Sequence, residues 1–233
     1  KAKAVAVIYG YRTEVTEEGT ESYALGVGLE HSNNVAWCIT DSPGYSTNFT
    51  ALYSSYDYDY VDVGNGDWQY VMKLTGNDDG SDDWEYICSV DVDGTADPAT
   101  YYPAWNYVNN YGENKKLKGY NKNGWYLPSL KEIYKLQQSF ESVNNIIQKI
   151  SGTKLNKTSY YNYYLTSSTC NNSSENNYIW VLSYFDENIK GVDVRRKNET
   201  SETFALPVKS FPCSVAHYDE TVQSKVSVTY PSY

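Results

Sequence analysis

The chain is poor in the residues that most catalytic sites are built from. Its 233 residues include two histidines, one methionine and four cysteines. His31 and His217 lie in polar stretches that read as exposed. No G-x-S-x-G or H-E-x-x-H frames either one, so nucleophilic and zinc-hydrolase chemistry lack their motifs. Gly64 and Gly66 (VGNGDW) lack the lysine and the third glycine of a phosphate-cradling loop. The thiols at Cys38, Cys88, Cys170 and Cys213 form no C-x-x-C pair, which argues against a zinc ribbon or a thioredoxin-type site. An even count in an exported protein permits two bridges in three connectivities, and the spacings do not choose among them. Cys38, inside VAWCI, also reads as an inert buried thiol. No cofactor and no metal is expected. No apolar run approaches the eighteen residues of a membrane span. Positive charge is scarce too: 19 Lys and Arg stand against 29 Asp and Glu, a net charge of −10. That balance disfavours nucleic acid and anionic membrane surfaces. The chain begins at Lys1 with no visible signal peptide and reads as a mature or trimmed piece, from which an export signal or lipid anchor could have been removed, so that this absence says little about location.

Aromatic and amide side chains are abundant. There are 26 Tyr and 6 Trp, with many Asn and Ser. Recognition surfaces favour this mixture, because Tyr supplies contact area at low entropic cost and Asn and Ser supply adaptable hydrogen bonds. Tyr also suits strands, so a β-rich protein explains the same composition.

Along the chain, residues 4–9 (AVAVIY) predict a strand buried on both faces, and Gly10 to Glu21 a hairpin or loop. Residues 23–29 and 35–39 (VAWCI) predict further strands. Residues 41–67 read as a Tyr-rich irregular excursion or short strands between turns. The carboxylates of residues 77–97 raise a calcium loop, but their spacing departs from the EF-hand pattern; a solvated acidic turn anchored by Trp84 and Ile87 is the preferred reading. A helix is expected from Pro103, with Ala104, Trp105, Val108 and Tyr111 on one face and Gly112 ending it in the left-handed conformation. A second is expected at Ser129, where Ser129 and Glu132 form a capping box. Leu130, Ile133, Tyr134 and Phe140 make its stripe, and Val143, Ile146, Ile147 and Ile150 continue helical spacing to Gly152. Strands are expected at 160–166, 178–185, 189–194 and 204–211, with Trp180, Leu182 and Tyr184 facing the core and Val181 and Ser183 alternating with them. Residues 1–212 read as one domain and 213–233 as an extension.

The segment from Gly124 to Leu136 (GWYLPSLKEIYKL) resembles the G-W-x-L-P-[ST]-x-x-E-[LI] signature of bacterial C-type-lectin-like domains of the Lcl C-terminal type, near the formylglycine-generating-enzyme group. YYLTSS at 163–168, YIWVL at 178–182 and ALPVKSF at 205–211 follow in the family's order, with Leu165 where Trp is usual and Ala205-Leu206 where Val-Arg is usual. The earlier stretches YALGVGLEHSNNVAWC, DDGSDDWEYI and YPAWNYVNNYG look like treponemal members, among them the variable protein of a diversity-generating retroelement. The resemblance implies an α+β, C-type-lectin-like fold with small antiparallel sheets, two or three helices and much irregular structure. It also implies a surface-displayed, receptor- or adhesin-like binding protein, extracellular or on a bacterial surface, as an outer-membrane lipoprotein would be. Its expected partner is a protein, with a glycan as the neighbouring possibility. The implied binding face comprises Thr169, Asn171, Asn172, Asn176, Asn177, Tyr178, Ser183, Asp186, Asn188, Lys190, Asp193, Arg195 and Lys197. Competing readings are a structural or pilus-type subunit and, last, an enzyme of the formylglycine-generating type. The latter's paired-cysteine metal site has no counterpart in these spacings. Asn48, Asn156, Asn171, Asn172 and Asn198 begin N-x-[ST] sequons, which count as glycan acceptors only in a eukaryotic exported protein.

Overall fold

A computed structural model describes residues 3–17, 19–151, 154–155, 162–170, 176–184 and 190–213. The architecture is mixed α and β, with small, mainly antiparallel sheets. The chain opens with a long hairpin, β1 (Ala6–Thr16) and β2 (Gly19–Gly28). Its burial alternates, with Val7 and Tyr9 inside and Ile8 45% exposed, so the strand is covered on one face and not on both as its apolar run predicts. β9 (Val208–Pro212) adds to β2 and completes a three-stranded sheet in the order β1-β2-β9.

VAWCI forms no strand. Trp37 and Cys38 are fully buried, but the backbone bonds outward, Cys38 N–H donating to the Lys197 carbonyl and Ile39 N–H to the Tyr101 carbonyl. Burial without period 2 is what a core loop shares with a strand. The Tyr-rich excursion instead contains a regular two-stranded ribbon, β3 (Ser54–Asp62) paired with β4 (Trp68–Gly76). The acidic stretch that follows is mostly helical: α1 (Asp83–Val90), α2 (Val92–Thr95) and α3 (Pro98–Tyr101). Ile87 is buried and Trp84 packs against the core, as anchors should. Asp83 and Asp91 are buried as well, so the stretch is not simply a solvated turn.

α4 (Pro103–Asn109) buries Ala104, Trp105 and Val108. Gly112 does not terminate it in the left-handed region. It lies inside α5 (Tyr111–Asn114), packed so closely that a Cβ there would strike the Lys122 carbonyl. The capping box at Ser129 and Glu132 is complete and starts α6 (Leu130–Gln138). α7 (Phe140–Ser151) follows after a break at Ser139, burying Phe140, Val143 and Ile147 and leaving Ile146 and Ile150 half-exposed. Gly152 lies outside the described residues. There are more helical segments than the two or three expected; α2, α3 and α5 are single turns.

The second sheet runs β7 (Lys190–Arg196), β6 (Tyr178–Tyr184), β5 (Tyr163–Thr169) and β8 (Thr203–Phe204), in that order. Both of its faces are covered. Tyr164 and Leu182 join a cluster with Ile133, Leu136, Phe140 and the β1-β2 residues. Tyr163, Leu165, Ile179 and Val181 join a second cluster with Trp37, Phe49, Ile87, Trp105 and Leu127. Every residue of β5 is buried for this reason. Trp180, expected to face the core, is 9% exposed, and Trp125 and Leu127 of the GWYLPS segment are 2% and 0% exposed, so all three are inside.

Candidate recognition face

The thirteen residues of the expected binding face do not share one surface. Thr169, Ser183 and Lys197 are buried, contrary to expectation. Thr169 ends the central strand β5 and donates its hydroxyl to the Phe49 carbonyl at 3.2 Å. Ser183 lies opposite Tyr163 in β6, on a sheet face that is covered rather than wet. Asn171, Asn172, Asp186 and Asn188, and the His217 side of the chain with the expected C-terminal extension from 214, lie outside the described residues. Lys190 is placed only as the first residue of β7. Asn176 is exposed, and Asn177, Tyr178, Asp193 and Arg195 are half-buried. Register separates these last. Directly opposed residues of an antiparallel pair share a face, so Tyr178 and Trp180 lie with Arg196, Val194 and Val192, while Ile179 and Val181 lie with Arg195 and Asp193. Arg195 pairs with Asp193 at 2.7 Å and stacks its guanidinium 3.8 Å over the Tyr163 ring, which commits it to the fold.

Lys197 is the clearest departure. Its ammonium enters the core and donates to the Gly44 carbonyl at 2.8 Å and the Thr47 carbonyl at 2.9 Å, over the Phe49 and Trp37 rings. Burial lowers its pKa to about 8, with the Cys38 and Cys170 thiols beside it pulling the other way. The Gly44 N–H in turn donates to the buried Asp91 carboxylate at 3.0 Å. One glycine residue thus lies between a buried cation and a buried anion. Burial pushes Asp91 up, but donors from Tyr102, Gly94, Ser42 and Gly44 outweigh it and hold the carboxyl below its ordinary range. These groups organise the loop around residues 42–47 and have no open access.

The exposed surface lies beside β6, on the ribbon. The β3-β4 register sets Tyr56 opposite Leu74, Tyr58 opposite Met72, Tyr60 opposite Tyr70 and Asp62 opposite Trp68, all on one face. The other face carries Asp57 opposite Lys73 and Asp59 opposite Val71. Tyr58, Tyr60, Trp68 and Tyr70 are 50%, 57%, 50% and 73% exposed. Tyr60 stacks on Trp68 with ring centroids 5.3 Å apart and leans on Tyr70 at 4.8 Å. The tip closes through Gly64, Asn65 and Gly66, each at positive φ, a conformation suited to glycine and asparagine.

The base of the ribbon is tied to β6. Trp180 donates its indole N–H to the Ser54 carbonyl at 2.7 Å and meets the Tyr56 ring edge-on at 5.5 Å. Leu74, Tyr178, Val192 and Val194 pack around Trp180, Leu130 and Cys170. Asn77, just past β4, donates its amide to Asp83 at 2.7 Å. Burial raises the Asp83 carboxyl to about 7, against the Asn77 hydrogen bond and the nearby Ser167 hydroxyl, which pull it down. Trp180 therefore anchors the aromatic face of the ribbon to β6. Trp68 and Tyr70 escaped the sequence reading, although W-Q-Y-V-M-K-L alternates with period 2 and follows an N-G turn, two hairpin signals.

Among the described residues no three His, Cys, Asp or Glu side chains gather as a metal cluster would require. His31 is half-buried rather than exposed, edge-on to Phe204 at 4.8 Å, and burial lowers its pKa. Cys38, Cys88, Cys170 and Cys213 are all free thiols; burial pushes Cys38 up to about 12 and Cys170 to about 11, so neither is a ready nucleophile. Among the described residues the surface also has open depressions, one of about 510 Å³ edged by paired charges such as Arg12 with Asp79, another of about 580 Å³ between Leu29, Tyr111 and Ile150. No helix among the described residues is long and apolar enough to cross a membrane. Comparison with known proteins found no matching family model, no matching curated protein and no matching solved structure.

Proposed function

We infer that the protein is a binding module, displayed at a bacterial surface, that holds a protein partner on the aromatic face of the β3-β4 ribbon. One observation carries this reading: four large aromatic side chains stand about half or more exposed on one face of a ribbon anchored in the core. Exposing contiguous rings costs hydrophobic free energy that folding alone gives no reason to spend. Tyr and Trp are the residues that concentrate binding energy at interfaces. The C-type-lectin-like fold belongs to the same proposal. It is supported by the signature residues themselves, since Trp125 and Leu127 are buried and Ser129 caps α6 where the resemblance puts core and cap. Membership among retroelement-diversified variable proteins is a narrower proposal. A neighbouring reverse transcriptase gene and a near-copy of the 3′ coding segment differing at adenines would establish it, and their absence would remove it.

The test is binding to an array of extracellular proteins and glycans, with the wild type compared with Tyr60→Ser/Trp68→Ser and with Tyr58→Ser/Tyr70→Ser. Selective protein binding that either double variant abolishes, at unchanged melting temperature, supports the reading. Binding that survives both places the site elsewhere. Binding confined to glycans favours the lectin alternative.

A further inference from the structure

We propose that the aromatic face of the β3-β4 ribbon receives an extended, arginine- or lysine-bearing segment of a partner protein. This rests on the binding-module reading and adds the partner's chemistry. Shape is the first argument. Nine-residue strands span roughly 30 Å, and a two-stranded ribbon presents a face about 10 Å wide. That is well below the roughly 800 Å² per partner of an ordinary globular interface, and it matches one extended chain lying along the strands.

Charge is the second argument. Residues 54–76 carry four aspartates, Asp57, Asp59, Asp62 and Asp67, and one lysine, Lys73. Lys73 pairs with Asp59 at 3.5 Å. Asp57 and Asp62 accept only backbone N–H groups among the described residues, from Tyr58 and Gly64. The ribbon thus keeps an uncompensated negative field, with Asp62 on the aromatic face opposite Trp68. A second copy of this chain, a nucleic acid or an anionic lipid would bring like charge to it, the chain itself standing at −10. A guanidinium or ammonium is attracted twice, by the carboxylates and by the negative faces of Tyr and Trp rings. Side chains of an extended segment point alternately to and from the ribbon, so every second residue would meet a ring.

Three seven-residue peptides test this: Gly-Arg-Val-Arg-Val-Arg-Gly, its citrulline counterpart, which keeps shape without charge, and its glutamate counterpart. Binding is read by Trp fluorescence and calorimetry against the wild type, Tyr60→Ser/Trp68→Ser and Asp62→Asn/Asp67→Asn. The arginine peptide should bind at least tenfold more tightly than the other two and weaken several-fold between 50 and 300 mM salt as its ion pairs with the exposed carboxylates are screened. The aromatic variant should lose at least tenfold and the aspartate variant several-fold. Equal binding of the citrulline peptide, or equal binding by both variants, overturns the proposal. So does sedimentation of the free protein as a dimer that Tyr60→Ser/Trp68→Ser dissolves. If the array experiment finds a face-dependent partner while the arginine peptide fails, the binding face stands and the cationic partner falls.

Discussion

Asp83 shows how one side chain links burial to the working surface. It closes the base of the ribbon through Asn77 while burial holds its carboxyl near pH 7. A raised carboxyl pKa means that the protonated form favours the fold. Its stabilising contribution is complete below the unfolded value near 4 and is lost as pH rises through about 7. Asp83→Asn keeps the hydrogen-bonding shape and removes the titration. The variant's stability gain over wild type should therefore be near zero at pH 4, grow to on the order of a few kcal/mol by pH 7.5, and then level off. Urea melts of both proteins across that range check it; a gain independent of pH would mean that Asp83 is ionised in the fold. Lys197 makes the complementary case. Lys197→Ala leaves the Gly44 and Thr47 carbonyls without their donor and opens a hole beside Phe49 and Trp37, so a loss of about 3 kcal/mol is expected in the same melts.

Among the elements, the contrast is between the β5-β6 pair and the ribbon. β5 is covered on both faces, and so is β6 where Ser183 lies opposite Tyr163, which is why Thr169 and Ser183 are lost to the core. The ribbon is covered only at its base, by Trp180. Removing rings from its far end should cost the fold little: Tyr60→Ser/Trp68→Ser is expected to shift stability by less than about 1 kcal/mol, as surface changes do. Amide exchange in 57–72 should be faster than in 163–169, because a two-stranded ribbon opens more readily than a buried strand. A cost of several kcal/mol would mean that these rings belong to the core. α6 gives the opposite expectation. Ser129 is fully buried, and Leu130 N–H and Glu132 sit in the same capping network with Ser168 and Gly80. Ser129→Ala should cost about 1–2 kcal/mol in thermal melts.

On the scale of the whole molecule, the thiols report how the chain is held. No bridge joins the four cysteines, so stability rests on the two large clusters and the buried polar contacts between them. A colorimetric thiol reagent should react quickly with the exposed Cys213, more slowly with the half-buried Cys88, and with Cys38 and Cys170 only after denaturation. Melting should be insensitive to reductant. Two unreactive cysteines in the denatured, unreduced protein would reveal a bridge and overturn this account.

Local order alone settled several parts of the fold. Ser129, three residues before Glu132, dictates where α6 begins, because a cap is satisfied within one turn. Pro103 and the spacing of Ala104, Trp105 and Val108 mark α4 for the same reason. Trp125, Leu127 and Trp180 are legible as core because large apolar residues in strong local patterns have nowhere else to go. The tertiary structure decided what depends on distant partners. VAWCI becomes a loop because its amides meet Tyr101 and Lys197, residues far away in sequence. Lys197 turns inward because two carbonyls from residues 44 and 47 await it. The proposed face of recognition differs from the expected one for a similar reason. Period 2 tells which side chains share a side of a strand, but whether a second layer covers that side is a property of the assembled molecule. It covers Ser183 and leaves Tyr60, Trp68 and Tyr70 in water.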